Sequence, residues 1–104
     1  NWANELAPDF DQPDAPNVAV EFVGTSISSA GDGVDRPGYL ASLLAENPAV
    51  KYHNSERGYV RCEVTRRAMR ADYRTVPYIT RPGAPLNTRA SFTVETGRSQ
   101  LHRV

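Results

Sequence analysis

Apolar and polar positions alternate with period two along residues 57–76, RGYVRCEVTRRAMRADYRTV. Val60, Cys62 and Val64 fall on one side, and Tyr59, Arg61, Glu63 and Thr65 on the other. This is the pattern of a half-buried strand with a wet, arginine-bearing face. A second strand-like run, residues 69–76, follows a short break at residues 66–68, so the pair predicts an antiparallel hairpin. On this phase Cys62 sits on the apolar face as a buried, inert thiol.

Elsewhere the pattern is shorter. Residues 17–23 predict a strand with Val18, Val20 and Phe22 on one face and Ala19, Glu21 and Val23 on the other. Both faces are largely apolar, which suits a central strand. Glu21 then needs a partner, and an arginine is the natural one. Pro37 suits the first turn of a helix, and Tyr39, Leu40, Leu43 and Leu44 form its apolar stripe. Asn47 and Pro48 end it. Residues 49–53 predict a short strand. Residues 89–95 predict a last one, with Ala90, Phe92 and Val94 inward.

Three stretches read as irregular. In residues 1–16, Pro8, Pro13 and Pro16 break any helix. Pro77, Pro82, Gly83 and Pro85 punctuate the connector before the last strand, and residues 97–104 read as a fraying tail. The sum is an α+β, mainly β fold of antiparallel strands with one short helix. The chain of 104 residues forms a single unit. Its long connectors suit a unit that lies against another polypeptide segment.

Charge adds an asymmetry that the net value of zero conceals. Residues 1–50 carry eight acidic side chains against one basic, Arg36, and residues 51–104 carry four acidic against eleven basic. Within a compact unit the halves attract weakly, screened beyond about 8–10 Å. Ten of those eleven are arginine, which favours bidentate contact with carboxylate or phosphate. No apolar run reaches the roughly 20 residues of a membrane span, and no leader-like segment opens the chain. With one cysteine there is no internal disulfide and no multi-cysteine zinc site.

Candidate chemistry is sparse. His53 and His102 have no metal-motif spacing. Asp9 and Asp11 form an Asp-x-Asp pair that could hold a hard cation, although a solvated loop explains them as well. The hydroxyls of Thr25, Ser26, Ser28 and Ser29 follow a strand, a suitable place for a phosphate contact or for turns with their own backbone. Arg57, Arg61, Arg66, Arg67, Arg70 and Arg74 with Tyr59 and Tyr73 could imitate a nucleic-acid face. They equally form a polar sheet face paired with acidic residues. No nucleic-acid-binding motif supports the first reading, so neither a nucleic-acid nor a membrane partner is expected.

Several stretches together resemble one family. They are EFVGTSISS (21–29), NPAVKYHNSERGYVRCEVT (47–65), ADYRTV (71–76), PGAPLNTRASFTVETG (82–97) and NWANEL (1–6). In order and spacing these resemble the C-terminal part of PhoD-like alkaline phosphatases, with the Arg-Gly-Tyr hairpin as the strongest piece. In that family a Gly-Asp-x-His metal motif closely precedes a Trp-bearing run like NWANEL. Where members commonly carry tryptophan in the second hairpin arm, this chain has Met69.

The resemblance implies a secreted or cell-surface enzyme that hydrolyses phosphomonoesters and phosphodiesters with iron and calcium. Such ions polarise the phosphoryl group and stabilise the attacking and leaving oxygens. Their ligands come from earlier in such proteins, so no catalytic residue and no metal ligand maps onto this chain, and no cofactor is expected in it. The expectation is therefore a C-terminal fragment, residues 1–104, inactive alone, with the upstream portion of the same phosphatase as partner. It would complete the β-sandwich of a metallophosphoesterase and wall its active site, with Thr25, Ser26, Asn54 and Arg57 as substrate contacts. The alternatives are a self-standing β-rich module that binds an anionic partner through its arginine face, and a purely structural domain.

Overall fold

The computed structural model describes residues 1–12 and 14–104, so the expectation for Pro13 lies outside the described residues. Among the described residues, seven strands and one helix run in the order β1 (Trp2–Leu6), β2 (Ala19–Val23), α1 (Leu40–Glu46), β3 (Val50–His53), β4 (Arg57–Val64), β5 (Ala68–Val76), β6 (Asn87–Glu95) and β7 (His102–Arg103). They form two antiparallel sheets, β2-β1-β3 and β4-β5-β6-β7.

The β4–β5 hairpin forms where the alternation places it, with Arg57 opposite Val76 and Val64 opposite Met69. Thr65 closes the turn. Its Oγ1 accepts from the Arg67 and Ala68 N–H groups at 3.2 and 3.1 Å and donates to the Ala68 carbonyl. Gly58 is required at its position: it has a φ of +158°, and a Cβ there would stand 1.9 Å from the Arg74 carbonyl oxygen.

The two sheets meet through an aromatic core. Ala3 and Tyr52 face Tyr73, Ala90 and Phe92, with Phe22, Val60 and Leu101 packed alongside. Tyr52 and Tyr73 have ring centroids 5.0 Å apart, and Tyr73 meets Phe92 edge to face at 6.1 Å. The Tyr73 hydroxyl donates to the Trp2 carbonyl, which ties the second sheet to the first strand.

Six expectations are corrected. Residues 1–16 are not irregular throughout: β1 is the central strand of the first sheet. Its sequence shows no apolar alternation because only Ala3 is buried there, and its backbone is satisfied from both sides. As a result β2 lies at an edge, and Glu21 and Val23 of its second face are exposed. Glu21 takes no arginine but accepts from Asn4 Nδ2 at 2.8 Å on the outer surface.

Cys62 is exposed, and so is Val64. The core covers only the Gly58–Val60 end of β4, and the alternation outruns the layer opposite. The tail does not fray either. His102 and Arg103 pair with Thr93 and Phe92, and Glu5 Oε1 accepts from the Leu101 N–H at 2.9 Å. The helix begins at Leu40, after Pro37 closes a turn with the Leu40 N–H. Its leucines are not fully buried, since it covers only part of β3.

A candidate functional site at the Asn1 end of the first sheet

Side chains from four parts of the chain converge where β1 begins. The backbones of Asn1 and Asn54 exchange hydrogen bonds at 2.8 and 3.1 Å. Asn1 Nδ2 donates to Asn54 Oδ1 and to the Glu56 carbonyl, both at 2.9 Å, while Asn1 Oδ1 accepts from the Thr25 N–H at 3.0 Å. Asn1 therefore bridges the hydroxyl-bearing loop to the turn before β4.

The expected contact residues fall into this one network. Arg57, at the start of β4, donates from Nη1 to Thr25 Oγ1 at 2.9 Å and to Ser26 Oγ at 3.2 Å. Its Nε and Nη2 donate to the Gly31 and Ala30 carbonyls. Arg57 thus holds residues 24–31 as a folded loop. Ser26 donates onward to the Ser29 carbonyl. Asn54, fully buried, is joined to the others through Asn1. Among the described residues no imidazole or carboxylate bonds either hydroxyl, so neither has a base to make it a nucleophile.

Residues that sequence reasoning did not single out support the network. Glu56 is buried, and its Oε1 accepts from Asn54 Nδ2, Thr75 Oγ1 and Arg89 Nε. Asp35 Oδ1 accepts from Asn54 Nδ2 at 2.8 Å and lies 3.5 Å from Arg89 Nε. Asp32 accepts from the Ile79 and Thr80 N–H groups at 2.7 and 3.1 Å and so joins the two long connectors. Those amides hold its carboxyl below the usual range. No sequence pattern marks these partners, because they come together only through strand pairing across distant segments.

Next to Asn1 the Trp2 ring stacks on His53 at 3.8 Å. The His53 Nδ1 faces the Asn1 carbonyl at 3.2 Å, so that nitrogen carries the proton, and Nε2 accepts from the Tyr39 hydroxyl at 3.0 Å. Burial pushes its pKa down.

These residues do not fit an iron or calcium centre. Among the described residues no three His, Cys, Asp or Glu side chains group closely enough to hold a metal ion. Glu56 is taken by Arg89, Asp72 by Arg61 and Arg70, and His53 by Asn1 and Tyr39. Asp9 Oδ1 accepts from the Asp11 N–H at 2.9 Å, the local turn of a solvated loop. The arginine face is likewise largely occupied internally: Arg57 by the loop, Arg61 and Arg70 by Asp72, and Arg74 by the Thr88 hydroxyl.

Comparison with known proteins adds the context. The family model for PhoD-like phosphatase matches residues 1–73. Alkaline phosphatase D of Bacillus subtilis (strain 168) is 43% identical over 104 residues, which is all of this chain and 18% of that protein. The solved structure of PhoD superposes with a TM-score of 0.93 at 44% identity, over 99% of this chain and 20% of that one. The chain thus spans about a fifth of the length of each relative.

Proposed function

The chain belongs to the PhoD-like phosphatase family, and on that footing we propose that it serves as the C-terminal segment of a secreted alkaline phosphatase and phosphodiesterase. In this reading it completes the enzyme's two-layer fold and forms one wall of its active site. The observation that carries the reading is the match of the whole chain to a fifth of a larger phosphatase. The upstream portion of that polypeptide is its partner and holds the iron and calcium, and a phosphoester is the substrate of the assembled enzyme.

Within the segment, Thr25, Ser26 and Arg57 form the wall, with the buried Asn54 behind them and Asn1 as the bridge that aligns them. Arg57 positions the loop and leaves the Thr25 hydroxyl proton uncommitted, free to donate to a phosphoryl oxygen. The arrangement orients and hydrogen-bonds. It does not supply a nucleophile.

The test is steady-state kinetics of the assembled phosphatase. Thr25→Val and Arg57→Gln are each expected to lower kcat/KM for a chromogenic phosphodiester by about tenfold, the worth of one hydrogen bond in the site. Arg66→Gln, in the β4–β5 turn, is the control. Unchanged kcat/KM in both wall variants would remove these residues from the active site.

A further inference from the structure

A cavity of about 370 Å³ opens between α1, β3 and the ends of β6 and β7. None of Thr25, Ser26, Asn54 or Arg57 lines it. Leu40 and Leu44 give it an apolar side, while Arg36, Lys51, Arg89 and Arg103 bring positive charge to it. Two of these cations are already matched. Arg89 is bound by Glu56 at 2.8 Å and faces Asp35 at 3.5 Å, and Lys51 lies 3.8 Å from Glu5. Among the described residues, Arg36 and Arg103 have no carboxylate within ion-pair distance. Arg103 rests its guanidinium 5.5 Å above the Tyr52 ring instead.

Tyr52 supplies the second observation. It is only 7% exposed, and its hydroxyl has no hydrogen-bond partner in the protein. A buried polar group left unpaired is costly, so the hydroxyl favours a ligand that accepts from it. Tyr52 lines the cavity together with Arg89 and Arg103, and the Arg103 guanidinium lies over its ring. Burial raises its pKa, so it stays a protonated donor. Asp35 is the one carboxylate in the lining, and it is engaged by Asn54 Nδ2.

We propose that this cavity is an accessory site for a tetrahedral oxyanion, inorganic phosphate or the phosphoryl group of a monoester, held between Arg36 and Arg103 with Tyr52 as a neutral donor. Two unpaired guanidiniums offer planar, forked donors suited to phosphoryl oxygens. The site goes beyond the wall proposed above and does not depend on it.

The test is NMR titration of the full 104-residue chain at neutral pH, following the arginine Nε–H and tyrosine ring signals. Inorganic phosphate and methyl phosphate are the two probes, and circular dichroism checks that each variant is folded. Saturable shifts of Arg36, Arg103 and Tyr52 are expected with at least one probe, and the probe that saturates identifies the source of the phosphoryl group. Arg103→Gln and Tyr52→Phe should each weaken binding about tenfold, the equivalent of one charge-assisted hydrogen bond, while Arg66→Gln leaves it unchanged. No saturable response to either probe would overturn the proposal. So would a response that Arg66→Gln reduces as much as Arg103→Gln, or one that Tyr52→Phe and Arg103→Gln both leave intact.

Discussion

Arg89 on β6 grips the buried carboxylate of Glu56 with two prongs, Nε to Oε1 at 2.8 Å and Nη2 to Oε2 at 3.2 Å. The pair closes the polar network beneath Asn54 and joins the turn before β4 to β6, across the intervening β5. Glu56→Gln keeps the shape but removes the charge that Arg89 binds. It is expected to cost about 1.5–3 kcal/mol, the range for hydrogen bonds to charged groups. Urea unfolding measures it, and a loss within about 0.5 kcal/mol, typical of an uninvolved surface site, would show that the network contributes little.

Val60 and Val64 share a face by alternation but not by environment. Val60 packs against the aromatic core, whereas Val64 is 72% exposed. Val60→Asp is expected to destabilise by several kcal/mol, since a carboxylate beside the core lacks a partner. Val64→Asp should stay within about 0.5 kcal/mol. Equal losses in denaturant melts would mean that the core extends along the whole of β4.

That contrast shows what the sequence carries and what it lacks. The hairpin is legible because its period and its break at residues 66–68 are both local. The inward positions Ala90 and Phe92 are legible for the same reason. How far a core reaches along a strand depends on the other layer, so Cys62 and Val64 looked buried and are not. β1 is hidden because only Ala3 of it is buried, so the strand is held by pairing with β2 and β3 and carries no apolar alternation. β7 is anchored by Leu101 and a few backbone bonds, too small a signal to separate from a tail. At the candidate site Thr25, Ser26, Asn54 and Arg57 stand out one by one as proposed contacts, but Asn1, which connects them through bonds to positions 25, 54 and 56, does not.

Asp72 gives the fold an acid limit. It lies on the outer face between Arg61 of β4 and Ser91 of β6. The Ser91 hydroxyl and the Arg61 guanidinium, with Arg70 added, hold its carboxyl well below the usual carboxylate range against the opposing effect of burial. A carboxyl depressed in the folded state stabilises fully above its unfolded value of about 3.9. That stabilisation drains away as pH falls through the folded-state range. Stability of the native chain should therefore decline below about pH 4, and Asp72→Asn should flatten that decline. Parallel acid limbs for the two proteins would show that Asp72 is not the group responsible.

Arg57 binds the loop through two carbonyls and two hydroxyls. Arg57→Ala should raise amide hydrogen exchange across residues 25–31 by about tenfold, equivalent to ~1.4 kcal/mol of local opening. Protection in β5 and β6, which pair along most of their length, should remain. Unchanged exchange in the loop would leave Arg57 without its positioning role.

The measurement closest to the central claim is phosphodiesterase turnover by the chain alone and by the chain combined with the remaining phosphatase polypeptide. Each is assayed with calcium and iron salts on a chromogenic phosphodiester. The account predicts that the chain alone matches a boiled control, because its described side chains offer no metal-ligand group, and that combining the two parts yields metal-dependent turnover. Turnover by the chain alone, or a combination as inert as its parts, would contradict it.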